Sequence, residues 1–191
     1  MSEIVKGYTA LKQADFTILY QGTTIITDTV NSVYMYQTGT GGITALSKPV
    51  PTAPYSFTAH INRLTGLGTE YSYGLCLRDS TSDKWSTFLV DTVAGGSATY
   101  VTTWSSHTTF LANQKALANG VYPVPKWLRI VDDGVNRLTY LSSDGTYWTS
   151  VYSEGRTTYL TPNQIGVCIV NWQAGSICCI IADHFKVDYS G

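Results

Sequence analysis

Short runs of strand-forming residues alternate along the chain with clusters of Gly, Pro, Asn and Asp, at a spacing of about ten residues. This spacing predicts an all-β sandwich or barrel. Between residues 55 and 62, apolar side chains at odd positions alternate with polar ones at even positions, so one face of the predicted strand 55–64 is expected to be buried. The predicted strands are 15–20, 23–28, 32–37, 43–47, 55–64, 71–79, 85–92, 98–104, 127–132, 137–142, 147–152, 165–170 and 178–188.

The clearest local prediction is a three-stranded meander over residues 127–155. Asp133-Gly134 and Asp144-Gly145 are hairpin signals, because Gly adopts positive φ freely and Asp tolerates it. Trp148 is expected to pack under the second of these turns. The segment 111–119 lacks a strand pattern, and we predict a long loop there with one helical turn.

The composition limits the kinds of partner that the protein can bind. Charged residues make up 13% of the chain, the formal net charge is −1, and Glu3, Glu70 and Glu154 are the three glutamates. Hydroxyl, amide and Tyr side chains must therefore form much of the surface. A chain this close to neutrality has no net positive charge to attract nucleic acid or anionic lipid, so we predict no nucleic-acid partner and no membrane partner.

The chain is predicted to fold as a single β-sandwich domain over 15–191, preceded by an N-terminal arm over 1–14. That arm lacks the apolar stretch of a signal peptide, and no run approaches a membrane span. The four cysteines lie in apolar strand patterns and show no zinc spacing, which is typical of buried thiols in a reducing cytoplasm. They are Cys76, Cys168, Cys178 and Cys179.

Several short motifs occur in an order that resembles the concanavalin A-like, laminin-G-type jelly rolls, in particular those of bacteriophage virion proteins and bacterial carbohydrate-associated modules. The motifs are Asp15-Phe16-Thr17 with Gln21-Gly22-Thr23, Gly74-Leu75-Cys76-Leu77-Arg78-Asp79, Ser142-Ser143-Asp144-Gly145 with Trp148, Leu160 to Gly166, and Ala182 to Val187. The resemblance implies a two-sheet antiparallel sandwich whose first and last strands lie side by side. Because this fold carries lectins, glucanases and structural modules alike, it implies no single activity.

Catalytic patterns are not evident. A glycosidase needs two carboxylates about 5–9 Å apart, and glucanases of this fold supply them from one strand, a pattern this chain lacks. Asp79, Asp91 and Asp144 are read as turn or hairpin residues. No nucleophile elbow occurs, and His60 and His184 are expected to face solvent or a groove in incidental roles. We therefore predict that the protein is not an enzyme, with a glycoside hydrolase as the least favoured alternative.

No metal and no cofactor are predicted. Asp132, Asp133 and Asn136 cluster in one turn and offer oxygens that suit calcium. Asp-Gly turns form for backbone reasons alone, however, and no further carboxylate is visible nearby. The question of calcium at this turn is left to the structure.

Carbohydrate contact is a separate hypothesis, because sugars are bound by flat aromatic faces together with amide and hydroxyl groups. Most Trp residues should nevertheless belong to the core. The candidate sugar-binding residues are Tyr100, Trp104, His107, Tyr147 and Trp172.

The favoured prediction is a non-enzymatic virion protein of a tailed phage, such as a capsid decoration, head-fibre or tail-fibre module, made in the host cytoplasm. Its partners would be other virion proteins, further copies of itself in symmetric oligomers such as trimers, and a host surface glycan. A lectin-like carbohydrate-binding module is the alternative.

Overall fold

The computed structural model describes residues 9–39, 41–67, 71–93, 96–117, 124–172 and 176–189, and these residues form two packed antiparallel sheets. The strands are β1 (Thr9–Ala10), β2 (Thr17–Leu19), β3 (Ile25–Asp28), β4 (Val33–Thr38), β5 (Gly42–Pro49), β6 (Tyr55–Leu67), β7 (Tyr71–Asp79), β8 (Lys84–Val93), β9 (Gly96–Ser106), β10 (Thr109–Leu117), β11 (Trp127–Asp132), β12 (Asn136–Ser142), β13 (Thr149–Gly155), β14 (Gln164–Asn171) and β15 (Ile177–Tyr189). A 3₁₀ turn spans Gln13–Asp15. Within the described ranges, no helix has the length and apolar character needed to cross a membrane.

Sheet A has the order β13-β12-β11-β6-β15-β4-β3, with β1 beside β15, and sheet B has the order β10-β9-β8-β7-β14-β5-β2. This confirms the predicted two-sheet antiparallel β-sandwich of the concanavalin A-like jelly-roll type. The first and last described strands are neighbours, as Thr9 pairs with Phe185. The meander of β11, β12 and β13 also forms as predicted.

The main core lies between the sheets. On β6 the odd residues Tyr55, Phe57, Ala59 and Ile61 point inwards, as their alternation predicts. On β7 the odd residues from Tyr71 to Leu77 face them from sheet B. Strand alternation thus places one apolar side of each sheet in a shared interior.

Sheet B has a second apolar cluster on its outer face, away from sheet A. It consists of residues on β5, β7, β8, β9 and β14 whose side chains point away from the main core, and Leu19 and Trp172 pack against it. A hairpin of β9 and β10 reaches across this face, and the Ile43 N–H on β5 donates to the His107 carbonyl at 2.8 Å. The cluster members are Ile43, Ala45, Cys76, Trp85, Leu89, Trp104, Cys168 and Val170.

The structure corrects the prediction for residues 111–119. Residues 109–117 form β10, an edge strand paired with β9, and not a loop with a helical turn. Register shifts break its alternation, and most of its side chains are exposed, so no apolar period marks the strand in the sequence.

A second correction concerns the tryptophan under the Asp144-Gly145 turn. That residue is Trp127: a Cβ on Gly145 would lie 3.0 Å from the Trp127 ring. Trp148 instead lies against the Arg129 guanidinium, 3.7 Å from its ring centroid. Trp127 occupies the space under the turn because it leads a strand that pairs directly with Ser142, where the turn begins.

Part of the predicted N-terminal arm lies on the sandwich. Thr9–Ala10 adds a strand beside β15, and Leu11 is fully buried in the main core. Residues 1–8 lie outside the described residues, so an arm formed by them stays a prediction.

Candidate functional site

A cleft opens where the β9–β10 hairpin meets the ends of β5 and β14. Gly42 and Asn171 are register partners at the ends of β5 and β14, and the N–H of Ile43, next to Gly42, donates to the His107 carbonyl in the hairpin turn. Gly42 has φ +68°, and a Cβ there would lie 2.3 Å from the His107 carbonyl oxygen. Only glycine allows this close approach, so the backbone itself fixes the hairpin over the sheet.

Three aromatic rings form one wall of the cleft. Trp104 and Trp172 lie with ring centroids 4.7 Å apart, and Phe110 meets them edge-on at 5.5 and 5.4 Å. The Trp104 indole N–H donates to Thr102 Oγ1 and that of Trp172 to Ser72 Oγ, both at 2.7 Å. The ring positions are therefore fixed, and 40% of Phe110 remains exposed.

Two buried amides lie beside the aromatic wall. Asn171 lines the cleft, and its Nδ2 donates to the Ser176 carbonyl at 2.6 Å, which identifies the other terminal atom as Oδ1. Gln37 lies next to Gly41, where its Nε2 would be 2.9 Å from a Cβ. Within the described ranges, neither Asn171 Oδ1 nor Gln37 Oε1 has a hydrogen-bond partner. An unpaired buried acceptor costs about 1–3 kcal/mol, which a hydroxyl donor would offset.

The cleft has a volume of about 320 Å³, near the lower end for ligand sites in proteins. Its described lining carries no charged side chain. Apolar ring faces next to amide acceptors suit an uncharged ligand that has both a flat apolar side and hydroxyl groups. The lining consists of Gly41, Gly42, Trp104, Thr108, Phe110, Asn171 and Trp172.

A polar network covers the second apolar cluster next to the cleft. The Tyr20 and His107 rings stack with centroids 3.6 Å apart. Asp83 Oδ1 accepts hydrogen bonds from Arg78 Nε at 2.9 Å, Tyr20 at 3.0 Å and Trp85 Nε1 at 3.2 Å. Desolvation raises the pKa of Asp83, but these donors outweigh it and hold the pKa below its ordinary value. This network keeps the hairpin turn in place over the sheet.

The candidate sugar-binding residues from the sequence fall into four places. Trp104 and Trp172 line the cleft. The His107 backbone anchors the hairpin, but its ring belongs to the covering network. Tyr100 is partly buried on β9, where burial and then the Asp91 charge raise its pKa. Tyr147 is 81% exposed in a turn of sheet A and lies outside the cleft lining.

Phe110 and Asn171 line the cleft but are not among the candidates that the sequence provides. Phe110 follows Trp104 across the polar turn Ser106–Thr109, which is itself a hairpin signal. Reading residues 111–119 as a loop concealed its strand position. Asn171 ends β14 and gives no signal of its own, because its role depends on pairing with Gly42.

Two of the three carboxylates named from the sequence have local roles, whereas Asp91 is buried within β8 and is not a turn residue. Asp79 accepts hydrogen bonds from Thr81 N and Ser82 Oγ, and Asp144 from Thr146 N and Tyr147 N. These are the contacts of turn-forming carboxylates.

Three of the oxygens proposed for calcium are likewise engaged. Asp132 is buried and accepts from Gly134 N and from Arg156 Nε at 2.8 Å. Asp133 Oδ1 accepts from the N–H groups of Val135 and Asn136. These contacts are typical of carboxylates that close their own turn.

No family model and no curated protein matches the chain. Several solved structures match its fold. A legume lectin-like domain from Entamoeba histolytica has a TM-score of 0.66 at 10% identity, with 100% of this chain and 99% of that chain covered. The carbohydrate-binding module CBM66 from Bacillus subtilis has a TM-score of 0.57 at 11% identity, with 91% and 95% covered.

The GH43 BlXynB protein from Bacillus licheniformis has a TM-score of 0.71 at 11% identity, and this chain spans 40% of its length. The chain is thus similar to a lectin-like domain, to a carbohydrate-binding module and to part of a GH43 protein. At these identities the likeness defines the fold, a concanavalin A-like β-sandwich, and assigns no activity. None of the three solved structures named here is a phage protein.

Proposed function

We propose that the protein is a carbohydrate-binding module that holds one uncharged sugar residue in the cleft between the β9–β10 hairpin and the β5 and β14 ends. The observation that carries this proposal is the pairing of an aromatic wall with the unpaired buried oxygen of Asn171. The wall supplies an apolar face for the C–H side of a sugar ring. Asn171 Oδ1 supplies an acceptor for one of its hydroxyl groups.

Two of the solved structures with a similar fold support a binding role, because they are binding domains by name. A lectin-like domain and a carbohydrate-binding module have nearly the same extent as this chain. The absence of charge from the described cleft lining favours neutral sugars over uronic or sialic acids.

A glycan array followed by calorimetry on the best neutral ligand tests the proposal. Phe110→Ala removes the exposed ring of the wall, and we expect it to weaken binding about tenfold, equivalent to about 1.4 kcal/mol. Tyr147→Ala is the matched control, because it removes another exposed aromatic ring from sheet A. Failure of the full chain to bind any glycan, or equal affinity of the Phe110→Ala variant, would overturn the proposal.

We also propose the virion surface as the setting of this module, on the strength of the phage-like motifs in the sequence. The partners would be neighbouring virion proteins and further copies of the chain. Mass spectrometry of purified particles tests this location, and absence of the protein from them would end it. If the protein releases reducing sugar from the glycan that it binds, its role would be hydrolysis and not binding alone.

A further inference from the structure

A second polar cluster lies on the outer face of sheet A, on the opposite side of the sandwich from the cleft. His60 on β6 and Asp183 and His184 on β15 meet there, although 123 residues separate His60 from Asp183. All three side chains are partly buried. From their sequence contexts, both histidines are expected to have incidental roles.

A β-bulge creates this cluster. Register runs from Ala182 paired with Ile61 directly to His184 paired with His60, so Asp183 is the extra residue. Before the bulge the even residues Cys178, Ile180 and Ala182 face the core, and after it the odd residue Phe185 does. The parity change leaves two consecutive side chains, Asp183 and His184, on the outer face, whereas a regular strand would place them on opposite sides.

Three side chains, those of His60, His184 and Asn62, converge on the Asp183 carboxylate. The Nδ1 atoms of His60 and His184 lie 2.6 and 2.8 Å from Asp183 Oδ1. Asn62 Nδ2 donates to the other oxygen, Oδ2, at 3.1 Å, which fixes the plane of the carboxylate. The Trp127 ring lies 4.4 Å from the His60 ring, centroid to centroid, and supports it from β11.

We propose that His60, Asp183 and His184 form a binding site for one divalent transition-metal ion, with Zn²⁺ as the best match. Two imidazoles and one carboxylate are a donor set that zinc takes, with bonds of about 2.0–2.2 Å. The potential donor atoms lie within 4.8 Å of one another, close to the span of a coordination shell. Asn62 holds the carboxylate from outside that shell, as second-shell groups commonly do.

The ion would enter from solvent. The His184 side chain is 41% exposed, so the cluster can be reached from solvent. To bind the ion through Nδ1, each imidazole would present that nitrogen without a proton and carry its proton on Nε2. Three protein ligands with an open position can hold a further ligand, such as water or a carboxylate from another molecule.

Calorimetric titration of the untagged full chain with ZnCl₂ tests the site, and we expect one ion per chain. His184→Ala alters the most exposed ligand, so the variant should fold, and its Zn²⁺ affinity should fall at least tenfold. His107→Gln is the control, because it alters a histidine on sheet B. No binding by the wild-type chain, or unchanged affinity in His184→Ala, would overturn the proposal.

Trp127 provides an independent readout. Cu²⁺ quenches the fluorescence of a neighbouring indole, and the site lies against this ring. We expect saturable quenching in the wild-type chain that is largely lost in Trp127→Phe and shifted to higher Cu²⁺ in His184→Ala. Equal quenching in the wild-type and Trp127→Phe chains would place the ion elsewhere and refute the assignment.

Discussion

Strands in the middle of sheet B are buried on both sides, whereas strands of sheet A alternate between buried and partly exposed positions. Strand β7 is buried at every position from Tyr71 to Leu77, and β14 from Ile165 to Asn171. Strand β4 alternates over its full length, Val33–Thr38. The two sheets thus present different outer faces, one apolar and covered and the other polar and open.

The β9–β10 hairpin lies over the outer face of sheet B and is called the cover below. It explains both the burial of that face and the position of the cleft. An apolar sheet face left in water would be an association site, so the chain folds its own β9–β10 hairpin across it. The cover reaches β5 at Gly42 and leaves a gap beside Asn171. Sheet A needs no cover, and its open face has room for the histidine cluster.

Replacing one tryptophan on each outer face should give the largest difference in stability between the two sheets. Trp85 is fully buried under the cover, and Trp85→Ala should lower the free energy of unfolding by about 4 kcal/mol. Trp148 on sheet A contacts the Arg129 guanidinium, and Trp148→Ala should cost about 1 kcal/mol or less. Urea unfolding of both variants measures the difference. Equal losses would contradict the view that only sheet B has a second core.

A glycine pair tests the anchor of the cover. Gly42→Ala places a methyl group 2.3 Å from the His107 carbonyl, and we expect a loss of about 3 kcal/mol from strain and displacement of the hairpin. Gly134 in the β11–β12 turn also has positive φ, +94°, but a Cβ there meets nothing within 4 Å. Gly134→Ala should cost only about 1 kcal/mol of backbone strain. If both variants lose the same stability, the hairpin contact contributes nothing.

The sequence predicts strands and turns well where the pattern is local. Alternation over 55–64 places the inner face of β6 correctly, and the two Asp-Gly turns place the meander. The continuous apolar runs around Cys76 and Cys168 also carry the signal of burial on both faces.

The cleft and the histidine cluster escape prediction because both arise from long-range pairing. Nothing in the sequence indicates that the turn at His107 will reach Gly42. Nothing indicates a bulge at Asp183 either, and without it the strand period would separate Asp183 from His184. Alternation specifies which side chains share a face but does not specify which strands become neighbours.

The smallest expected difference between the two sheets is in how the free energy of unfolding falls at acid pH. The pKa of Asp83 is lower in the folded chain than its ordinary value, so the carboxylate stabilises the fold above about pH 4. That contribution is lost as the pH falls through the folded pKa. Asp83→Asn should cost about 1 kcal/mol at pH 7 and should flatten the fall of unfolding free energy below about pH 4.

Asp133→Asn is the comparison on sheet A. Backbone N–H groups of Asn136 and Val135 hold the pKa of Asp133 below its ordinary value, but the side chain is exposed and an Asn can still accept from the same turn. Its effect on the acid slope should therefore be smaller than that of Asp83→Asn. Guanidinium unfolding at several pH values between 2 and 7 measures both slopes. An acid slope in Asp83→Asn as steep as that of the wild-type chain would mean that the covering network does not depend on the charge of Asp83.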